Sequence, residues 1–366
     1  MTSKSKDMIF LLGAGASAEA GIPPSGKMID RIEALLKEGN EGWKPYSNLY
    51  NHIKSAIYYA AGLKGQFKDD VPYNIETLVN TLYELERNEE HPLYPFIASW
   101  NSRLITLARG TNGDFEKVRD FRLLILRQLK SWMSPDDGSL ADYYKGFISL
   151  QRGLNFPLRV FSLNYDLCVE QLLSPDFRVE TGFGGNGPRY PWNWERFDDG
   201  TTGPTPPEIY LYKLHGSINW KRDSGRNLIS LQQTESILPE QIELIFGRDF
   251  KLDAADPYLF YVYELREYSL DAKIIVCLGY GFGDQHINKI LAQALQRDDE
   301  EKRILVISNC IDDQSVKQKK DEVVKKLSVK PEKVLVQKVS TKMFLETAEL
   351  HKQLLEMVPS PEDSPF

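Results

Sequence analysis

The chain has 366 residues, with 45 basic against 52 acidic side chains and a formal net charge of -7. It therefore lacks the basic excess of a nucleic-acid coat, and direct nucleic-acid binding is not expected of it. The length suggests about two domains with ample material for a core. The apolar run behind Lys4 and Lys6 is too short for a secretory leader, and no stretch approaches the roughly 20 apolar residues of a membrane span, so a cytoplasmic protein is expected.

Residues 8–12 form an apolar run of buried-strand type that stops at Gly13 and Gly15, and residues 16–20 then have the composition of a first helical turn. Strand, glycine turn and helix start make a phosphate cradle, because glycine lets backbone N–H groups approach an anion and a helix N-terminus favours negative charge. The spacing Gly13-x-Gly15-x-x-Ala18 fits the dinucleotide fingerprint. An ordinary dehydrogenase then needs several helical turns, a second strand and an acid about 20 positions on. Here Gly21-Ile22-Pro23-Pro24 cuts the helix, and residues 28–36 read as another helix, which excludes that enzyme class. The near-match to a mononucleotide loop at 21–27 also fails. Met28 stands where a Ser or Thr would hold magnesium, and two prolines remove N–H donors.

Residues 28–155 read as helical and poor in strands. In 74–85, Ile75, Leu78, Val79, Leu82 and Leu85 share one face behind Asn74 as N-cap, with Glu76 a first-turn acid. Similar spacing recurs over 115–132 and more weakly over 140–154. The region is expected to be a helical insertion packed over a nucleotide cleft.

A second strand of nucleotide-binding type covers 158–163 and ends on Asn164-Tyr165-Asp166 before a helix-like segment at 167–173. Polar side chains at the carboxyl end of a parallel strand face the crevice where α/β folds bind ligands; the alternative is that Asn164 or Asp166 only caps the helix. Residues 175–245 are rich in Gly, Pro, Trp and Asn, and Trp192 and Trp194 form either a surface cap or a substrate wall. A strand at 209–214 then ends in His215-Gly216, where an exposed imidazole would suit a general base.

Of the five histidines, His52, His91 and His351 read as surface residues, and His286 as packing or capping early in a helix. Residues 272–278 form a buried strand that breaks into Gly279, Gly281 and Gly283, with Asp284 as N-cap of a helix over 285–295. A strand at 303–307 ends on Ser308 and Asn309. A charged helix over 316–327, a strand over 333–338, a helix over 342–358 and a flexible tail at 359–366 complete the chain. Cys168, Cys277 and Cys310 are odd in number and widely spaced. They make neither a disulfide framework nor a Cys-x-x-Cys zinc pair, and each reads as a small buried thiol.

Gly13-Ala14-Gly15-x-Ser17 followed by Gly21-Ile22-Pro23 resembles the opening motif of the sirtuin family, the silent-information-regulator-type NAD-binding proteins. Leu163-Asn164-Tyr165-Asp166 is similar to the family's Gln-Asn-Ile-Asp, with the Gln lost and Tyr165 in place of Ile. His215-Gly216 resembles the motif that carries the catalytic histidine. The turn at 279–284 stands where the family has a Gly-Thr-Ser-like turn near a ribose, with Gly281 where a hydroxyl is common. The four motifs occur in family order. The missing Cys-x-x-Cys pairs point to the bacterial zinc-less branch of antiphage defence systems.

The resemblance implies an α/β fold, a Rossmann-like parallel sheet at 1–27 and 156–350 with a large helical insertion at 28–155 and a small loop-rich insertion at about 175–245. It implies Asn164 and His215 as catalytic residues and Gly13, Ala14, Gly15, Ser17, Ile22, Pro23, Asp166, Gly279, Gly281 and Asn309 as binding residues. Among these, Gly13 to Ser17 would hold the pyrophosphate, Asp166 the nicotinamide side and Asn309 the adenosine ribose. NAD is then a substrate and no zinc is expected. The favoured activity is NAD hydrolysis to nicotinamide and ADP-ribose by the NAD-depleting effector of a defence system. A protein deacylase or ADP-ribosyltransferase and a non-enzymatic NAD- or ADP-ribose-binding subunit stay as alternatives. On family grounds a homo-oligomer is expected, with a partner such as a hexameric DNA-translocase ATPase or a short Argonaute.

Overall fold

A computed structural model of the chain describes residues 7–37, 40–67, 71, 73–87, 102–111, 115–135, 137–184, 189–198, 206–231, 234–244, 256–296 and 302–357. The expected tail at 359–366 and His91 lie outside these residues. Two compact units separate, one made of 1–22, 133–244 and 252–366 and the other of 23–132 with 245–251. Residues 133–155, read from sequence as part of the helical insertion, cluster with the first unit.

The first unit is built on ten described strands: β1 (Met8–Leu12), β2 (Leu158–Ser162), β3 (Val179–Glu180), β4 (Arg189–Pro191), β5 (Ile209–Lys213), β6 (Trp220–Arg222), β7 (Leu228–Leu231), β8 (Ile274–Leu278), β9 (Arg303–Ser308) and β10 (Val334–Lys338). Seven form one sheet in the order β10-β9-β8-β1-β2-β5-β3, and every pairing in it is parallel. All residues of β1, β2, β5 and β8 are buried. That explains why β1 and β8 are continuous apolar runs rather than alternating ones, and why Arg159 of β2 and Lys213 of β5 are buried: a parallel sheet covered on both faces hides both sets of side chains. The fold is α/β and Rossmann-like.

The order of the strands locates the crevice. From β1 the sheet grows through β2 and β5 on one side and through β8, β9 and β10 on the other, so the chain reverses direction across the sheet at β1. In open α/β sheets such a reversal opens a crevice at the carboxyl ends of the strands. The registers Leu12–Ser162, Ser162–Lys213 and Leu12–Leu278 bring the four strands to a level edge there.

Several elements differ from their sequence reading. The segment after Gly13 is a 3-10 helix, Ala14–Ala20, closed by Gly21 in the left-handed conformation. After Asp166 only a 3-10 turn at Glu170–Leu172 forms. The loop-rich region holds a small antiparallel sheet in the order β4-β7-β6. The last helix is broken into Thr341–Glu346 and Ala348–Glu356. A helix at Tyr258–Asp271 carries no sequence expectation at all.

The second unit is helical. Ser25–Lys37, Ser47–Gly62, Ile75–Arg87, Ser102–Ala108 and Glu116–Trp132 are its helices among the described residues. Phe121 anchors its core, stacked on Tyr46 at 5.1 Å and edge-on to Trp43 and Tyr50. Asn74 caps its helix as expected, accepting the Thr77 N–H at 2.9 Å.

Candidate active site

The glycine turn after β1 is welded to the turn after β8. Gly13 N–H donates to Leu278 O and Gly15 N–H to Gly279 O, each at 3.0 Å, and Ala16 N–H returns to Gly13 O at 2.8 Å. A Cβ on Gly13 would lie 2.6 Å from the Tyr280 Cα, and one on Gly279, whose φ is +61°, would lie 2.1 Å from the Ala16 nitrogen. The glycines therefore serve a close approach of two backbone segments, and three N–H groups expected to cradle a phosphate are spent inside the protein. Ala14 N–H has no partner among the described residues and remains a donor at this edge.

Ser17 has a different place from the one read in sequence. Its hydroxyl is fully buried and donates to Asp166 Oδ2 at 2.7 Å. With its one proton spent there, it accepts from Tyr144 Oη at 2.9 Å and from Asn164 Nδ2 at 3.1 Å. One serine thus ties together the residues after β2 and the tyrosine of the 3-10 segment Gly138–Lys145. Tyr143 of the same segment donates to Ala16 O at 2.5 Å. Burial, with Asp166 adding to it, holds the Tyr144 hydroxyl far above the usual tyrosine range, so it stays a donor.

Asp166 is 5% exposed, and both of its carboxylate oxygens are engaged, Oδ2 by Ser17 and Oδ1 by the Cys168 N–H at 3.0 Å. Burial, reinforced by Asp166, pushes the Cys168 thiol up, which makes it an inert packing group rather than a nucleophile. Cys277 is also buried, while Cys310 is only half-buried, against expectation.

Asn164 lies two positions beyond Ser162 and His215 two positions beyond Lys213, and Ser162 and Lys213 are registered partners on adjacent parallel strands. The amide and the imidazole thus occupy equivalent places on one edge, beside Ala14, which lies two positions beyond Leu12. With its Nδ2 donated to Ser17, the amide is oriented; its Oδ1 is buried and has no hydrogen-bond partner among the described residues. A buried acceptor left in that state costs about 1–3 kcal/mol.

His215 is 3% exposed, not the open imidazole expected from sequence. Its Nε2 lies 3.0 Å from Asp284 Oδ2. Asp284 caps the helix Gln285–Leu295 as expected, through Oδ1 and the N–H groups of His286 and Ile287. Burial pushes the Asp284 carboxyl up, but the His215 contact and those N–H groups outweigh it and hold the group below the usual range. Gly216 has φ +89°, and a Cβ there would meet Glu243 O at 2.2 Å, so the glycine after the histidine is a steric requirement.

Beneath this edge Lys213 is buried in β5. Its ammonium donates to Asp166 O, to Glu170 Oε1 at 2.9 Å and to Ser217 Oγ at 2.9 Å. Burial raises the Glu170 carboxyl against the pull of Lys213. The Lys213 clamp fixes the turn that carries Asp166, and neither it nor the two tyrosines was legible as part of a site.

The family model described as the SIR2-like domain matches residues 158–331, the stretch from β2 to the helix Asp313–Leu327 and just beyond. Over this stretch the chain is similar to SIR2-like domains. Among solved structures, a mutant Sir2 homologue in complex with 2'-O-acetyl ADP ribose matches with 12% identity over 98% of this chain and 95% of that chain, at a TM-score of 0.45. A Sir2 homologue–NAD complex matches with 11% identity over 97% of this chain and 92% of that chain, at a TM-score of 0.43. No curated protein matches the sequence.

The matched stretch contains Asn164, Asp166, His215, Gly279, Gly281 and Asn309, and Gly13 to Ser17 join its edge from β1. Gly281 is exposed, and a Cβ there would meet nothing within 4 Å. Asn309 is exposed one residue past β9, two strands away from β1. Ile22 is buried and its N–H returns to Ser17 O at 3.3 Å. Pro23 is the first residue of the helical unit. His351, read as a surface residue, is 7% exposed and packs on Phe344, and burial lowers its imidazole below the ordinary range. Trp192 donates to Tyr261 Oη at 2.9 Å within an aromatic cluster, and Trp194 is exposed, so neither acts as a pair. Among the described residues no group of three or more His, Cys, Asp or Glu side chains could hold a metal ion, and no helix is long and apolar enough to cross a membrane.

Proposed function

We propose that the chain binds NAD at the carboxyl edge of β1, β2 and β5 and hydrolyses it to nicotinamide and ADP-ribose. The observation that supports this most is the orphaned Asn164 Oδ1, a buried and oriented acceptor one strand away from an imidazole. A ribose hydroxyl or a water supplies the donor it lacks.

The chemistry asks for little acid catalysis. As the C–N bond to nicotinamide breaks, the electron pair leaves with a ring nitrogen that is already cationic, so no proton need be given to the leaving group, and the ribose acquires oxocarbenium character. Asn164 places the ribose or the attacking water without neutralising the developing charge. His215 takes the proton of the water as its oxygen bonds to the anomeric carbon. Asp166 is a hydrogen-bonded anchor for the Ser17 hydroxyl rather than a reacting group, and Ala14 N–H is the donor left for the pyrophosphate.

Incubation with NAD and separation of the products tests the reading. Nicotinamide and ADP-ribose should appear in equal amounts, and loss of neither Asn164 nor His215 affecting their formation would refute it. The sirtuin resemblance supports a role as NAD-depleting effector in antiphage defence, held inactive until a partner or oligomerisation releases it, so the assay is run with and without such a partner. An acyl-peptide substrate in a parallel reaction distinguishes a deacylase.

A further inference from the structure

The contact between His215 and Asp284 joins two segments that the sheet order keeps apart. β5 and β8 are separated by β1 and β2, a span of about 14 Å at the usual strand spacing. The loop from Gly279 to Asp284 bridges that span, because the two side chains meet at 3.0 Å.

Each end of this arrangement is held. Asp284 Oδ1 is fixed by two backbone N–H groups at 2.8 and 3.1 Å, which leaves Oδ2 pointing to Nε2 of His215. Tyr280 donates to Asn288 Oδ1 at 2.9 Å, and Asn288 donates to Phe282 O at 3.0 Å, so the loop is stapled to the helix it introduces. The two paired side chains are 4% and 10% exposed, where a charge-assisted hydrogen bond is stronger than in water. The neighbouring Lys213 spends its ammonium on Asp166, Glu170 and Ser217, and the Tyr165 ring lies 6.3 Å from the imidazole ring.

We infer that Asp284 is a positioning residue for His215: a carboxylate anchored on a helix N-terminus that orients the imidazole by Nε2 and leaves Nδ1 as its basic nitrogen. The inference rests on the hydrolase reading above for its catalytic consequence and on the contact alone for its structural one. In the neutral ring the nitrogen that donates to the carboxylate is protonated, so the other carries the lone pair that accepts the proton of the water. The carboxylate also steadies the imidazolium once that proton has moved.

Two variants of the full chain test it, Asp284→Asn and Asp284→Ser. Both side chains still cap the helix, whereas the first loses the charge and the second also loses the reach to the ring. The His215 imidazole is followed by NMR as pH is varied, and nicotinamide release from NAD is measured on the same samples. Asp284→Asn should move the His215 midpoint to lower pH and lower kcat about 10-fold or more with KM little changed. An unchanged midpoint in both variants would overturn the inference, as would faster release, which would mean that Asp284 holds His215 away from the substrate. A moved midpoint with no release from wild-type protein under any condition would instead sink the hydrolase reading and leave the pairing standing.

Discussion

At β1 and β8 the carboxyl ends of the strands meet through backbone, glycine against glycine, with N–H groups spent on neighbouring carbonyls. The ends of β2 and β5 instead carry buried side chains, Asn164 and Asp166 bonded to Ser17 after β1 and His215 bonded to Asp284 after β8. The glycine-rich half looks in sequence like the ligand cradle, yet its glycines are required by packing. The polar half looks like a set of helix caps, yet it holds Asn164 Oδ1, a buried acceptor with no hydrogen-bond partner among the described residues. A glycine motif is therefore a weaker pointer to a ligand than a polar side chain that a fold has gone to the expense of burying.

The sharpest way to break this comparison is at Gly279. Gly279→Ala places a Cβ 2.1 Å from the Ala16 nitrogen at positive φ, and it should cost about 3 kcal/mol or more of stability, visible as a lowered Tm. Next come Asn164→Ala and His215→Ala, each expected to lower nicotinamide release by about 10²-fold, roughly 3 kcal/mol in barrier height. Ser17→Ala removes the hydroxyl shared by Asp166, Asn164 and Tyr144 and should cost about 2 kcal/mol in denaturant unfolding.

Smaller effects sharpen the contrast. The depressed Asp284 carboxyl binds its proton less readily in the folded chain than in the unfolded one. Its stabilisation is complete above the ordinary aspartate range and is lost as pH falls through the lowered folded value, so Asp284→Asn should flatten the acid limb of a stability profile. Smallest of all, Gly281→Ser meets open space and should change stability by less than about 0.5 kcal/mol. A large loss there would show that the outer glycines are also structural.

What could be read from sequence follows the physics of each signal. β1, β2, β5 and β8 were legible because strands buried on both faces are mostly apolar, with only Arg159, Ser162 and Lys213 breaking the pattern, and their ends were legible because Asn164, His215 and Gly279 follow them. The Asp284 cap was legible, but its second oxygen was not, since a cap motif says nothing about a histidine 69 positions away. Tyr143 and Tyr144 are hard to place from sequence because only their hydroxyl tips make polar contacts, to Ala16 O and Ser17. Lys213 was hidden by its place in a strand, and His351 by its polar neighbours. The helix Tyr258–Asp271 escaped notice because tyrosines at 258, 261, 263 and 268 surround it and blur any single apolar face. β4, β6 and β7 are three or four residues long in a region rich in Gly and Pro, too short to show alternation.

The central position of β1 has a cost in time. It pairs with β2 about 150 residues later and with β8 about 266 residues later, and a ribosome adding about 5–20 residues per second needs on the order of a quarter of a minute or longer to deliver the second partner. Through that interval the five wholly apolar residues of β1 lack at least one of their two neighbouring strands. The nascent chain is thus a natural client for a chaperone that shields short hydrophobic segments until synthesis catches up.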